Sequence, residues 1–402
     1  MVGAAGERWR ALSAPLPRFL LLYALLYASF GVASPFLPAF IGARGLAAEQ
    51  IGVIFAAGTL IRLLSAPLAG RIADRWRIQR KVLAVCAMAA GGAALLYLPA
   101  EGFGPILLVS LAYAITLAPL APLADALAVV AANRPRSPAG QGFEYGWVRG
   151  TGSGAFILGS ITVGWAVASL KLGTILWWQA ALLLATAAAT RLVPEFHTPT
   201  PSGQALSSES LVTLWHSAVF RRILVVAALI LGSHGMHDTF AMILWRAAGI
   251  TPGIASLLWS VAVVAEVVVF LVIGPALVRR LTPAGCIALA ALAGSVRWAV
   301  AAVTTQVLAL ALIQPLHGIT FALLHLSCMQ LIAMHVPVNL SATAQTIYGT
   351  VGIGTSTALV MLASGWLFGR LGGSAFALMS LLCLAALPLV RGLAREAAGR
   401  AA

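Results

Sequence analysis

Long apolar stretches recur throughout this sequence and constrain its fold more than any other feature. A helix needs about 20 apolar residues to cross the hydrocarbon core of a bilayer. In lipid, every backbone N–H and C=O must be paired within the protein, which a helix achieves locally. The sequence therefore predicts an all-α membrane protein with 12 transmembrane helices. We number these stretches span 1 to span 12, at residues 18–41, 50–73, 81–99, 104–130, 145–169, 174–193, 222–247, 253–276, 284–304, 306–335, 342–368 and 373–391.

Charged side chains are scarce and unevenly placed. Only 9% of the 402 residues are charged and 61% are hydrophobic, whereas soluble domains carry about 25% charged residues. This composition excludes a soluble enzyme, a nucleic-acid-binding protein and a disordered protein. The net charge of +14 does not indicate nucleic acid, because the arginines form short clusters between the apolar stretches.

Basic residues also predict the orientation in the membrane. One set of loops and tails holds 18 lysines and arginines and the opposite set holds 4, while Arg62, Arg149 and Arg297 lie inside spans. Because basic loops stay on the cytoplasmic side, both termini are expected in the cytoplasm. Span 1 is too long for a cleavable signal. We expect a multi-pass protein of a prokaryote-type inner (plasma) membrane.

The chain divides into two similar halves. The longest polar break predicts an N-terminal bundle at residues 1–193, a cytoplasmic linker at 194–221 and a C-terminal bundle at 222–402. Short motifs recur across this break at offsets of 203 or 204 residues, namely Ser29-Phe30-Gly31 with Ser233-His234-Gly235, Gly70 with Gly274, and Tyr145-Gly146 with Tyr348-Gly349. Such a parallel repeat predicts two pseudo-symmetric six-helix bundles with a transport site midway between them.

Ionisable residues inside spans are candidates for chemistry, since each costs about 2.5–3.5 kcal/mol at the bilayer centre unless it is paired or hydrated. Glu266 in span 8 and Arg297 in span 9 are expected to pair and to couple transport to a proton. A static structural ion pair is the alternative. Asp238 lies with His234 and His237 in span 7, where we expect a further contribution to proton coupling.

One face of span 10 carries Gln314, His317, Phe321 and His325. Residues 3, 7 and 11 positions apart share a helix face. Histidine titrates near neutral pH, so His317 is a candidate for proton coupling, and Gln314, Phe321 and His325 are candidates for substrate binding. Packed histidines bonded to carbonyls are the alternative. The spacing of these groups predicts no metal site and no cofactor.

Spans 1, 5 and 8 supply further candidate substrate ligands. Arg149 offers a guanidinium fork that matches a carboxylate, and snorkelling to the interface is its alternative. Tyr27 and Phe30, with Trp259 of span 8, could receive a flat apolar ring, unless these aromatic residues only pack. A run of glycines at every fourth position, which predicts close helix packing, comprises Gly142, Gly146, Gly150 and Gly154.

Several motifs together resemble the major facilitator superfamily, and within it the phenylpropionate permease family, which is related to lactose permease and to nucleoside–proton symporters. The loop after span 2 is similar to the superfamily's signature loop, although the family usually has a glycine soon after the Asp-Arg pair and this chain has Arg77. The motifs are Gly70-Arg71-Ile72-Ala73-Asp74-Arg75 with Arg80-Lys81, Pro122-Leu123-Ala124-Asp125, Tyr145-Gly146-x-x-Arg149-x-x-Gly152-Ser153, Leu258-Trp259 with Ala265-Glu266, Arg297-Trp298, and Gln314-x-Leu316-His317-Gly318-x-Thr320-Phe321.

The resemblance implies an MFS fold, alternating access, and proton coupling through an acidic residue of span 8 and an arginine of span 9. It implies that the loop residues Gly70, Asp74, Arg75 and Arg80 act in gating. Thr151 departs from the branch, which usually has tryptophan there.

We therefore expect a transporter and not an enzyme. Its expected partners are a small-molecule substrate, protons and the lipid bilayer, and it is expected to act as a monomer. The expected activity is proton-coupled symport of a small organic anion, such as a phenylpropionate-like aromatic acid. A proton-driven exporter of hydrophobic compounds and a non-transporting membrane sensor are the alternatives.

Overall fold

The computed structural model describes residues 15–133, 143–194 and 208–398, and these residues form helices and turns with no strand. Nine helical stretches in this part of the chain are long and apolar enough to cross a membrane. Two of them, Pro252–Val303 and Ser341–Ala394, each contain two consecutive spans, and the shorter apolar helix Thr174–Ala189 is span 6. The twelve predicted spans are thereby all present as helix.

Contacts between residues divide the chain into two compact units. The first unit comprises Met1–Phe40 and Ile61–Ser202, and the second comprises Ile41–Leu60 and Gly203–Ala402. Residues 41–60, which include the first part of span 2, therefore group with the C-terminal half.

The helices of spans 1 to 6 follow the predicted ranges closely. Spans 1 and 4 are each interrupted by a short turn, at residues 34–36 and 118–119. The helices are Pro15–Ala33 and Leu37–Gly42, Ala48–Arg75, Gln79–Leu96, Phe103–Leu117 and Leu120–Ala132, Tyr145–Ser169, and Thr174–Ala189. Their shared core, in the first unit, is built mainly of leucine, alanine and aromatic side chains, among them Phe19, Leu22, Tyr23, Leu26, Leu120 and Leu183.

Spans 1 and 5 pack at backbone distance through glycines. A Cβ added at Gly31 would overlap the carbonyl of Phe156, and one at Gly159 would lie 2.6 Å from the carbonyl oxygen of Ala28. The glycine face predicted from the sequence is a different one. At Gly146, Gly150 and Gly154 an added Cβ would meet no atom within 4 Å, and Gly142 lies outside the described residues. That prediction was wrong because helix rotation, which spacing alone does not define, turns Gly159 toward span 1.

The helices of the second half contain more irregular segments. Three of them are π-helical, and they interrupt spans 8, 10 and 11. Two, Val269–Ile273 and Ile319–Leu323, begin within three residues of Glu266 and His317. The helices of spans 7 to 12 are Ala218–Ile230 and His234–Ala247, Pro252–Val268 continuing through Val269–Ile273, Gly274–Val303, Val307–Ile313 with Leu316–Gly318 and Leu324–His335, Ser341–Ile347 with Ser356–Leu371, and Phe376–Ala385 with Leu387–Ala398.

Spans 8 and 9 are separated at Thr282 rather than by a loop. Thr282 has a positive φ of 62°, and Pro283 follows it. The Thr282 hydroxyl accepts a hydrogen bond from the N–H of Gly285 at 3.3 Å, which caps the start of span 9. The chain therefore reverses within a stretch that otherwise reads as continuous helix.

The segment before residue 60 packs tightly against span 11 within the second unit. A Cβ at Gly52 would lie 2.8 Å from the Met361 carbonyl oxygen, and one at Gly365 would lie 2.8 Å from that of Ala48. Glu49 and Arg370 form an exposed ion pair at 3.8 Å beside this contact. Small residues at both sides allow this approach.

We predict that Gly159→Val separates spans 1 and 5 and destabilises the first unit, because its side chain would meet backbone rather than a side chain that could move. Overpacking of this kind costs about 1–3 kcal/mol. The loss of stability is measured as a lower midpoint of thermal unfolding of the purified protein. Gly154→Val, on the same helix with open space around it, is the matched control and is expected to change the midpoint little. Equal midpoints for the two variants would contradict the packing described here.

Candidate functional site

In the first unit, a carboxylate of span 4 is surrounded by hydroxyl donors. The Asp125 carboxylate accepts hydrogen bonds from the Tyr23 hydroxyl and, at 2.8 Å, from the Tyr145 hydroxyl. Arg149 Nη1 lies 3.6 Å from the same oxygen. Spans 1, 4 and 5 thus meet at one acidic side chain, whose charge is met by two phenols and a guanidinium.

Arg149 is held by two partners and keeps part of its guanidinium accessible. Its Nη1 donates to the Tyr27 hydroxyl, and its Cζ lies 5.2 Å from the centre of the Tyr27 ring. The side chain is 46% exposed. Since a guanidinium carries five donors, N–H groups remain for a further acceptor such as a carboxylate.

Aromatic rings of span 1 form a continuous surface beside this arginine. Tyr23 stacks on Tyr27 with centroids 5.5 Å apart, and Tyr27 meets Phe30 edge to face at 5.4 Å. Gly152 lies against Tyr27, where an added Cβ would be 3.0 Å from the ring. A larger residue at 152 would displace Tyr27, so the glycine preserves the position of its hydroxyl beside Arg149.

In the second unit, the Arg297 guanidinium is buried and paired on several sides. Only 1% of the residue is exposed. Its Nη2 donates to Gln314 Oε1 at 2.9 Å, and its Nη1 donates to His317 Nδ1 at 3.1 Å. Its Cζ lies 4.3 Å from the ring of Trp298, a cation–π contact. Spans 9 and 10 are therefore joined around a single buried charge.

His317 lies between the two groups that the sequence predicted to pair. Its Nε2 is 3.4 Å from Glu266 Oε2, while its Nδ1 faces Arg297. Arginine only donates, so Nδ1 must accept and the ring proton of a neutral His317 resides on Nε2, directed at Glu266. The predicted direct pair is thus replaced by a three-residue chain, because the imidazole occupies the space between the carboxylate and the guanidinium.

Histidine and tryptophan rings surround this chain. His237 stacks on Trp259 at 4.9 Å, and His234 lies 5.0 Å from His317. Trp298 donates from Nε1 to the Ser233 hydroxyl at 2.8 Å, at the break between the two helices of span 7. Among the described residues, the Nε2 atoms of His234 and His237 are buried without a hydrogen-bond partner.

The remaining predicted residues of the second unit lie around the same chain. Phe321 stacks on His317 with centroids 5.6 Å apart, one turn along span 10. His325 Nδ1 lies 3.4 Å from the Tyr348 hydroxyl. Asp238 Oδ1 is 3.4 Å from His237 Nδ1, and its side chain is 44% exposed. Gln314, Phe321 and Trp259 therefore reach the Arg297 cluster, whereas His325 lies beyond it, between Phe270 of span 8 and Tyr348 of span 11.

The signature loop after span 2 is held by one hydrogen bond within the loop and one to the end of span 6. Asp74 accepts from Gln79 Nε2 at 2.6 Å, and Arg80 Nη1 donates to the Val193 carbonyl at 3.2 Å. Arg75 is the last residue of the span 2 helix, and Gly70 lies in that helix with open space around its α-carbon. Arg77, near the position where the family usually has glycine, has a left-handed φ of 54°.

Several residues of these clusters were not among the predicted site residues. They are Tyr23 and Tyr145 in the first unit and Trp298 in the second, whereas Asp125 and His234, as ionisable residues inside spans, were candidates from the sequence. The signal for Asp125 was its carboxylate inside a span, together with its place in a family motif. In the described part of the chain, no group of three His, Cys, Asp or Glu residues could hold a metal ion.

Comparisons with known proteins place the whole chain. Residues 17–378 match the MFS_1 like family. The chain is 31% identical over 387 residues to the probable 3-phenylpropionic acid transporter of Escherichia coli (strain K12), covering 94% of this chain and 96% of that protein. It is 26% identical over 369 residues to the maltose permease of Geobacillus stearothermophilus, covering 91% of both.

The fold matches solved transporters as well. The crystal structure of a mutant of the nucleoside transporter NupG superposes with a TM-score of 0.79 at 18% identity, covering 96% of this chain and 99% of that one. These proteins are transporters rather than enzymes. The chain is therefore a multi-pass membrane transporter of the major facilitator fold, with twelve transmembrane helices, and it belongs to the MFS_1 like family.

Proposed function

We propose that this protein is a proton-coupled symporter that imports a small organic anion, an aromatic acid of the phenylpropionate class, by alternating access. The observation that carries this proposal is the chain Glu266–His317–Arg297, in which a carboxylate and a permanent cation inside the membrane share one imidazole. Intramembrane ionisable groups of this kind mark proton relays and ion pathways.

Hydrogen-bond geometry supports Glu266 as the proton-binding group. A second proton on His317 would put an N–H against the N–H of Arg297, so the imidazole is best suited to stay neutral while Arg297 donates to it. Glu266 is then the group that gains and loses the proton. Protonation converts its charge-assisted contact with His317 into a weaker neutral one, which loosens the link between spans 8 and 10.

Charge and aromatic surface in the first unit support an aromatic carboxylate as substrate. Arg149 offers donors to a carboxylate, and Tyr27 and Phe30 present ring surface beside it. The relative from Escherichia coli is named a probable 3-phenylpropionic acid transporter. In the second unit Trp259, Gln314, Phe321 and His325 are proposed to contribute to the substrate site, and Asp238 to the proton path.

The energetics follow from the charges that move. One proton carried with one monovalent anion transfers no net charge, so the pH gradient alone drives accumulation. Each pH unit corresponds to about 1.4 kcal/mol, or tenfold accumulation. A larger proton number would add a contribution from the membrane potential of about 2.3 kcal/mol per charge per 100 mV.

Orientation and gating complete the proposal. The 18 to 4 distribution of basic residues supports cytoplasmic termini in an inner membrane. The loop with Asp74, Arg75 and Arg80, together with Gly70, is proposed to stabilise a closed cytoplasmic side. We propose a monomer as the transporting species, with residues 1–193 and 222–402 as the two rocking bundles on either side of the linker at 194–221.

We predict that Glu266→Gln abolishes accumulation against a gradient but leaves substrate exchange intact, because the variant keeps a hydrogen-bond acceptor and loses the titratable proton. Uptake of labelled phenylpropionate into proteoliposomes under an inward pH gradient measures accumulation, and counterflow at equal pH measures exchange. Glu101→Gln, at an exposed carboxylate outside the helices, is the control and should accumulate normally. Wild-type accumulation by Glu266→Gln would refute the assignment, and a gradient that drives export would support the antiport alternative.

We predict that Arg149→Lys raises the KM for uptake by about tenfold or more, because lysine keeps the charge and loses the fork that binds a carboxylate through two hydrogen bonds. Initial uptake rates over a range of phenylpropionate concentrations give this value. Arg246→Lys, at an exposed arginine at the end of span 7, is the matched control. An unchanged KM for Arg149→Lys would remove Arg149 from the substrate site.

The substrate class is tested by a panel of compounds that separate charge from aromaticity. Thermal stabilisation of purified protein is expected with phenylpropionate, less with cyclohexylpropionate, and none with phenylpropanol, maltose or uridine. Ligand binding to the folded state raises the unfolding midpoint by mass action. Stabilisation by maltose or uridine alone would overturn the aromatic-acid proposal and leave the transporter assignment unchanged.

A further inference from the structure

A groove at the start of span 7 lies outside both clusters described above. It has a volume of about 480 Å³ and belongs entirely to the second unit. Its open end carries two adjacent arginines, and its walls are apolar. Its lining includes Trp215, Arg221, Arg222, Val225, Ala228 and Val351. We name it the linker-helix groove.

A short helix that the sequence did not predict forms one end of the groove. Ser208–His216 is helical and lies within the predicted linker, of which residues 195–207 are outside the described residues. The Ser217 hydroxyl caps the next helix by accepting from the N–H of Phe220. Arg221 donates to the Trp215 carbonyl and so ties the end of the linker helix to span 7.

The second arginine is positioned by a glycine of span 12. A Cβ added at Gly392 would lie 2.8 Å from the Arg222 guanidinium carbon, so the guanidinium rests on the glycine backbone. Arg221 is exposed and Arg222 is half-buried. The two cations therefore sit next to one another where the apolar part of span 7 begins.

The walls of the groove run from these arginines into the apolar span. Seven residues separate Arg222 from Leu229, which is about 10 Å along a helix. Val225 is 45% exposed and Val351 is 49% exposed, so both present apolar surface along the groove. Gly352 packs closely against Leu224 in this lining, since an added Cβ would lie 3.3 Å from the Leu224 side chain.

We propose that the linker-helix groove binds one anionic phospholipid, with its phosphate on Arg221 and Arg222 and an acyl chain along Val225, Ala228 and Val351. Charge complementarity selects this occupant, since the part of the lining that the structure describes contains two arginines and no acidic residue. Basic pockets between membrane helices at the cytoplasmic end bind such headgroups.

The exposed Trp215 side chain agrees with a phosphate bound at the membrane–water interface. Trp215 is 62% exposed and borders the groove at the level of the arginines. Tryptophan is enriched at the membrane–water interface, where headgroups lie. The acyl chain then enters the hydrocarbon beside the apolar walls. This site is separate from the residues proposed for transport and does not depend on that proposal.

The test is native mass spectrometry of the purified full chain with added lipid. Phosphatidylglycerol and cardiolipin are expected to give a bound lipid at lower concentration than phosphatidylcholine. The double variant Arg221→Gln, Arg222→Gln is expected to weaken binding of the anionic lipids by about thirtyfold, as expected for two arginines near a headgroup. Arg279→Gln with Arg280→Gln, another adjacent exposed pair, is the matched control and should bind as the wild type does.

A second variant keeps the test informative if the double variant does not fold. Val225→Trp fills the groove without changing charge and is also expected to lose the lipid, with normal elution in size-exclusion chromatography as the check on folding. Equal loss in the control pair, equal binding of phosphatidylcholine, or displacement of the lipid by inorganic phosphate alone would overturn the proposal. So would a dimer that the Arg221→Gln, Arg222→Gln variant dissociates, because a second copy would then be the occupant.

Discussion

Charge buried in hydrocarbon must be compensated by protein groups, and this requirement organises both clusters of the structure. Arg297 is almost completely buried, and its donors meet Gln314, His317 and the face of Trp298. Removal of one partner would leave a desolvated charge, which costs several kcal/mol. Spans 9 and 10 are therefore held in a definite relation by the chemistry of one guanidinium.

The two units meet the same requirement in different ways. In the first unit Asp125 accepts from two tyrosines, and Arg149 remains nearly half exposed. In the second unit the arginine is enclosed and the carboxylate, Glu266, reaches it only through an imidazole. An accessible cation suits the capture of an anion from water, and an enclosed chain suits the binding of a proton. The proposed division of labour follows from this contrast in burial.

Irregular backbone positions these side chains. Ser233, at the break in span 7, accepts from Trp298, and π-helical segments begin two residues after His317 and three residues after Glu266. An inserted residue rotates the following side chains around the helix axis. In span 10 this rotation accounts for His325 contacting Tyr348 rather than the Arg297 cluster. Regular 3.6-residue spacing, on which the predicted face rested, does not extend through such a segment.

The number of spans, the fold and the intramembrane charges followed from the sequence, because apolar length and the cost of buried charge are local properties. The two predicted alternatives for Glu266 and Arg297, a relay or a static pair, both lacked the intervening His317. The face of span 5 that packs, the helix Ser208–His216 and the grouping of residues 41–60 were likewise decided by tertiary structure. These features depend on helix rotation and on distances between spans far apart in the chain. Side-chain packing sets both, and composition or spacing along one helix does not.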